Sequence, residues 1–466
     1  MNINRNLTVL VTTIALLGGN TLIVVPAAYA QSLELFTPLP ADQLNDMSPV
    51  QSQHINRIKQ RETTASVTLV RVDANALKGN STRMSLSEAK TLTFTKSNVE
   101  IRKANDFIWF GTLSRVPGNA TMVNHDGNVT GTIRDGGNLY RVEPIGNGIH
   151  AIIKVDESRF PADHPTSFRD LEKRSDASPA PVAPFDMQNA DSQVGIDVLV
   201  AYTPAAHSAV SDIDAIIELA VAEANQSYQN SGVNVRLNLV DRFEVSYSEI
   251  GKSYDTILAD FVGMADVNNR RNNSGADMAA ILINQTDYCG LSSAIRANAA
   301  NAFAVVHYDC ATGYYSFAHE LGHLQGARHD PLTDPTTTPF TYGHGFRHTS
   351  PPPSWRTIMA YNCSGLGCSR LQYWSNPDVN YNSIAMGTAA ESNNTRVLNE
   401  TASTVASFRQ RDSEVGWENL GGVVKEQPEC VSWGLNRIDC FARGSDDHMH
   451  HKAWNGSIWS NYSPSH

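Results

Sequence analysis

Residues 319–330 read HELGHLQGARHD, which sets three histidines, a glutamate and an aspartate close together in the chain. His319 and His323 are four apart, so a helix carries them on one face, one turn from each other, where two imidazoles can share a metal ion. Glu320, beside the first histidine, can take a proton from a water that such an ion acidifies from a pKa of about 15.7 to about 7. His329 cannot join them on a continuous helix, because at 1.5 Å per residue it would lie roughly 15 Å along the axis from His319. Gly326 stands between, and a glycine in the left-handed conformation can end the helix and turn the chain back. An HExxH pair arises by accident on amphipathic helices; the extended H-E-x-x-H-x-x-G-x-x-H pattern is a far stronger signal. Three neutral imidazoles with one open position make a catalytic Zn2+ site, whereas a structural site would take a fourth protein ligand.

The segment resembles the long zinc motif of the metzincin metallopeptidases, and Asp330, after the third histidine, resembles their adamalysin/reprolysin-like branch. The resemblance implies His319, His323 and His329 as metal ligands, with Glu320 as general base and then acid. It also implies a methionine turn downstream, for which the sequence offers Thr357-Ile358-Met359-Ala360-Tyr361. There Met359 would form an apolar base under the histidines rather than a ligand. Tyr361 makes an M-x-Y pattern similar to the astacin and serralysin branches, in which the tyrosine approaches the zinc and stabilises the transition state; the alternative is a packed aromatic. Metzincins bind extended substrate on an edge strand just before the zinc helix, and NAFAVVHYDC, from Asn301, occupies that position.

DYCGLSSAI, HYDCA, HELGHLQGARHD, YGHGF and TIMAY together most resemble bacterial peptidyl-Asp metallopeptidases, over roughly residues 195–412. This implies cleavage beside an acidic residue, which asks for a cation in the pocket. Arg347, Arg356 and Arg370 are candidates by position, set against the ordinary reading of solvated surface arginines. His344 and His348 are either additional ligands or plain loop histidines.

The elements that must position this site begin at Gly195. GIDVLVAY predicts a buried strand, SDIDAIIELAVAEANQSY from Ser211 a capped amphipathic helix, and VNVRLNLVDRFEV a second strand. SYDTILADFVGMAD predicts a second helix, MAAILIN and NAFAVVHYDC two more strands, and the motif helix starts near Tyr315. The order points to an α/β (α+β) catalytic domain with a mixed, mostly parallel sheet. Before it, short alternating segments such as Ser66–Val70 and Asp106–Gly111 predict antiparallel β structure without a chemistry-bearing motif.

Residues 1–30 have Arg5, an apolar run and Ala28-Tyr29-Ala30, the pattern of a cleaved export signal. Six cysteines, all at or after Cys289, suit an oxidising compartment, and chain order favours the pairs 289–310, 363–368 and 430–440 among 15 possible connectivities. The net charge of -11 favours neither a nucleic-acid nor an anionic-membrane partner. The expected organisation is a signal peptide (1–30), a β-rich propeptide with a polar linker from Lys173 (31–190), a zinc peptidase domain (191–412) and a small all-β repeat (413–466). The propeptide has no cysteine, so inhibition of the zinc would use a carboxylate, a histidine or steric cover; Lys173-Arg174 is a candidate cut.

Residues from Cys430 resemble one repeat of fucose-binding-lectin-like β-propellers, through Ser432-Trp433-Gly434, Asn436–Asp439, Arg443–Asp446 and His451–Gly456. That implies a possible glycan partner. The expected function is a secreted zinc endopeptidase acting on proteins or peptides; the alternative is a secreted carbohydrate-binding or adhesin-like protein that uses the peptidase domain as scaffold.

Overall fold

The computed structural model describes residues 32–40, 43–113, 117–165, 193–363 and 367–409, and in the C-terminal segment 424–425, 428–434, 437–454, 459–460 and 463–464. The expected signal peptide, the linker from Lys173 and the Lys173-Arg174 pair lie outside the described residues.

The N-terminal region is a ten-stranded sheet. Five strands from Asp106–Leu113 to Ile149–Val155 form a meander of adjacent antiparallel hairpins, as their alternating sequences predict. Alternation gives the sheet two working faces. Phe94, Trp109, Met122 and Val142 fill a core on one side. Ile108, Phe110 and Val123 point the other way and pack on Ala215, Leu219 and Ala222. The helix Pro49–Gln60 was not expected, although its start carries a legible signal: Ser48 and Gln51 form a reciprocal capping box with Pro49 in the first turn. Its Ile55 and Ile58 pack against Ile145, Ile149 and Ile153.

The second unit holds a five-stranded sheet in the order Val235–Glu244, Val194–Tyr202, Met278–Ile283, Phe303–His307, Gly290–Ser292. The first four strands run parallel and the last antiparallel. Apolar runs such as Met278–Ile283 are buried along their whole length because both faces are covered. Ile213–Ser231, capped by Asp212, shares one core with the motif helix. Tyr254–Gly263 packs on the opposite face through Ile257 and Phe261. Phe303–His307 is therefore not the edge: it is hydrogen-bonded on both sides, and Gly290–Ser292, earlier in the chain, takes the outer place.

The two units meet across more than apolar contacts. Arg141 donates to Asp309, Arg134 donates to the Gly313 carbonyl at 2.7 Å, and Thr63 donates to Asp309 Oδ2 at 2.7 Å. The C-terminal residues form a four-stranded antiparallel sheet beginning at Glu429–Gly434. Disulfides join Cys289 to Cys310, Cys363 to Cys368 and Cys430 to Cys440, the connectivity that chain order favours. Among the described residues no helix is long and apolar enough to cross a membrane.

Candidate metal centre

The motif helix spans Ser316–Gln325 and is buried throughout. It ends where the glycine demands: Gly326 has φ 110°, its N–H donates to His323 O at 2.8 Å, and Ala327 N–H reaches back to Gly322 O at 2.9 Å. A side chain at Gly326 would also stand 3.1 Å from the Phe340 ring, which would have to shift to admit it. Turning here brings His329 Nε2 to 3.2 Å from His319 Nε2 and 3.0 Å from His323 Nε2, with 3.1 Å between the first two.

The outer nitrogens explain what the inner ones can do. His319 Nδ1 donates to Ile358 O at 2.8 Å and His323 Nδ1 to Ala327 O at 2.9 Å. Each carbonyl fixes the proton on Nδ1, leaving Nε2 as a bare lone pair. Burial, with the neighbouring imidazoles adding to it, pushes His319 and His329 well below the ordinary histidine range, and burial does the same to His323. Lone pairs turned on one another repel unless a cation lies between them. Nitrogens bonded to a tetrahedral zinc at about 2.0–2.1 Å would stand roughly 3.3 Å apart, close to the spacing found, so the three residues fit the ion.

Glu320 is held from two sides. Ser292 Oγ lies 2.6 Å from its Oε2 and 2.8 Å from its carbonyl oxygen. Gly290 leaves the space that the carboxylate fills. On the motif helix, Gly322 lies against Met359 and Trp374: a Cβ there would stand 3.0 Å from the methionine sulfur and 2.6 Å from the indole. Met359 is fully buried in this core. Asp330 ties the third-histidine loop to the methionine turn, since Oδ2 accepts from Tyr361 N–H at 3.1 Å and from Arg347, while Oδ1 accepts from Thr333 N–H at 3.3 Å. The Tyr361 ring lies 4.4 Å from that of His329.

Of the remaining histidines, His344 supports the backbone by donating to His329 O at 2.7 Å, and His348 is bonded to Pro351 O. Neither belongs to the histidine group whose nitrogens lie close enough together to hold a metal ion, His319, His323, His329 and His164. The last was not singled out in the sequence. It lies in Pro161-Ala162-Asp163-His164-Pro165, an Asp-His pair bracketed by prolines in a cysteine-free region, and that bracketing was the available signal.

The three candidate arginines separate. Arg347 is committed to Asp330. Arg356 and Arg370 are not solvated surface residues: they are 1% and 0% exposed, beside the Tyr314 ring. Both face Asp163, whose Oδ2 is 2.9 Å from Arg370 Nη2 and 3.5 Å from Arg356 Nη1. Burial alone would raise the Asp163 pKa, but Arg370 and Arg356 hold the carboxyl below its usual range.

A family model described as Metallo-peptidase family M12 matches residues 192–375, the stretch that carries this site. A peptidyl-Asp metalloendopeptidase of Stenotrophomonas maltophilia (strain R551-3) is 40% identical over 414 residues, covering 84% of this chain and 98% of its own. One from Xanthomonas campestris pv. campestris is 40% identical over 385 residues, covering 76% of this chain and 88% of its own. The chain belongs to the peptidyl-Asp metalloendopeptidase family. One from Pseudomonas fragi is 42% identical over 189 residues, 40% of this chain and all of its own.

Proposed function

We propose that this chain is an exported zinc endopeptidase of the metzincin type, made as a precursor, that cuts proteins or peptides beside aspartate. The convergence of the His319, His323 and His329 Nε2 atoms beside Glu320 carries the reading. Its domains are a signal peptide (1–30), a propeptide and linker (31–190), the peptidase (191–412) and a C-terminal β repeat (413–466). Three disulfides support export.

His319, His323 and His329 would hold the ion. Zinc, when bound, supplies Lewis-acid polarisation of the peptide carbonyl and an acidified water. Glu320 takes the proton from the attacking water and later gives it to the leaving amine. Ser292 orients that carboxylate, and Asp330 fixes the turn that presents Tyr361, whose hydroxyl would stabilise the transition state. Met359 packs beneath the helix and keeps the histidines in register.

The family's relatives are named for aspartate, and Arg356 with Arg370 supplies the cationic pocket such a side chain needs. No observation favours the carbohydrate-binding alternative: the general base is in place, and Trp454 and Trp459 of the C-terminal repeat lie against each other, 5.7 Å apart.

Hydrolysis of a denatured protein by the matured enzyme, with and without a zinc chelator and beside Glu320→Ala, tests the reading, with product termini determined by mass spectrometry. Chelator-sensitive cutting that vanishes in the variant, with termini clustered at Asp, is the expected result. Zinc-loaded, matured protein that cuts nothing would overturn it.

A further inference from the structure

Residues 161–165 leave the N-terminal unit and enter the cleft of the peptidase sheet. Ala162 bridges Tyr288 in parallel fashion, Cys289 N–H donates to Ala162 O at 2.9 Å, and Gly290 N–H donates to Asp163 O at 3.1 Å. The segment thus takes hydrogen bonds from the outer strand of the sheet, the edge on which an extended substrate would add.

Two side chains of this segment then fill the two chemical features of the cleft. Asp163 places its carboxylate between Arg370 and Arg356, where a selected substrate aspartate would go. His164 goes to the metal centre. Its ring centroid is 5.0, 5.2 and 4.9 Å from those of His319, His323 and His329, so it stands over all three rather than beside one. Each of the four offers a nitrogen within 4.8 Å of the others. Its Nε2 is 2.8 Å from Glu320 Oε1 and its Nδ1 2.9 Å from the Tyr361 hydroxyl, so one imidazole touches both groups assigned to catalysis. The side chain is wholly buried.

We propose that His164 is a latch: when the metal is bound, one of its ring nitrogens would exchange its hydrogen-bond partner for the ion and take the open position of the three-histidine site, the other nitrogen keeping its partner, while Asp163 anchors the segment in the arginine pocket. The proposal rests on the zinc reading above. Three histidines with an open position make a catalytic centre, and a fourth protein nitrogen makes a closed one. The uncleaved chain therefore carries its own inhibitor, on the same polypeptide as the site and so at high effective concentration. Releasing it requires a cut between Pro165 and Val194, the interval that contains Lys173-Arg174.

The test counts ligands in the intact full-length chain, loaded with zinc or cobalt in the cold and checked for integrity by mass spectrometry. X-ray absorption at the zinc edge and the visible spectrum of the cobalt form give the number of imidazoles without any turnover. Four are expected in the intact wild type, and three plus an oxygen donor in His164→Ala. The variant should also hydrolyse a peptide at least tenfold faster than the intact wild type. Three imidazoles and an oxygen in the intact wild type would overturn the latch and leave the zinc site standing. Failure to bind zinc at one equivalent would overturn both. If His164→Ala does not fold, the wild-type count decides alone, and His164→Gln, of similar bulk, supplies the rate comparison.

Discussion

A Cβ placed on Gly290 would lie 2.3 Å from Oε1 of Glu320 and 2.6 Å from its Cδ. The glycine therefore makes room for the Glu320 carboxylate. Gly290→Ala should push the carboxylate off its Ser292 partner and lower kcat/KM at least tenfold, about 1.4 kcal/mol in the barrier. Zinc content should stay at one equivalent, because the atoms nearest the added methyl all belong to Glu320. Steady-state kinetics on the matured enzyme beside metal analysis checks this. A variant with wild-type kcat/KM would show that Glu320 does not need its present place.

The arginine pocket makes a sharper prediction. An ionised hydrogen bond to a carboxylate contributes about 1.5–3 kcal/mol, so replacing Arg370 by the apolar Met should cost substrates with Asp roughly 10- to 100-fold in kcat/KM. Neutral substrates should change by no more than a few-fold, and Asp should cease to dominate the product termini. Both arginines also hold other groups: Arg370 donates to Tyr314 O at 3.0 Å, whereas Arg356 donates to Ala360 O of the methionine turn, beside Tyr361, at 2.6 Å and to Tyr314 Oη at 2.8 Å. Arg356→Met should therefore lower turnover of every substrate. Undiminished Asp selectivity in Arg370→Met would remove the pocket from the specificity argument.

Removing the metal should be visible as lost stability. A ligand that binds only the folded state adds about 2.7 kcal/mol at a hundred times its Kd. For a domain of this size that is roughly 5–10 °C in Tm. Calorimetry of matured Glu320→Ala protein with zinc and with chelator should show such a gap, and His329→Ala should erase it. Equal Tm values with and without zinc in the first protein would contradict the ion site.

The site was legible in the sequence as far as it is local. His319, Glu320, His323, Gly326 and His329 act through helix periodicity and one chain reversal, both written in consecutive residues. What was not legible depends on pairing across distance. Gly290–Ser292 precedes Phe303–His307 in the chain yet lies outside it in the sheet, because it runs antiparallel, and chain order cannot announce that. Burial of Arg356 and Arg370 requires a buried anion, and that anion, Asp163, comes from the other unit. His164 meets Glu320 across 156 residues, with no periodicity linking them. Helix Pro49–Gln60 escaped notice for the opposite reason: its capping box is local, but its apolar face is short.

The contact between the two units should depend on pH through Glu223. This carboxyl, on helix Ile213–Ser231, is 2% exposed; it accepts from the Thr132 hydroxyl of the N-terminal sheet and from Gly313 N–H at 2.7 Å. Burial pushes its pKa up to about 7, against the opposing pull of these hydrogen bonds and of Arg134 and Arg141. A carboxyl with a raised pKa binds more protons folded than unfolded, so its contribution falls as pH rises from about 4.5 to about 7 and then stays low. The loss is on the order of 3 kcal/mol. Of the other charges at this contact, Asp309 and Glu218 are held down to about 2 and His125, between Asp212 and Glu218, is raised to about 10, while burial pushes His307 down to about 4 and adds an opposite gain up to about pH 6.5 that wild type and Glu223→Gln share. His125 adds a further loss only as pH rises from about 6.5 toward 10. Glu223→Gln keeps the shape and removes the titration. Urea unfolding of the intact chain at pH 5 and pH 8 should show a larger drop for wild type than for Glu223→Gln. After the linker is cut, the N-terminal sheet should leave the peptidase faster at pH 8 than at pH 5, by a larger factor in wild type than in Glu223→Gln. Identical pH slopes in the two proteins would mean that Glu223 is already ionised, and paired, in the precursor.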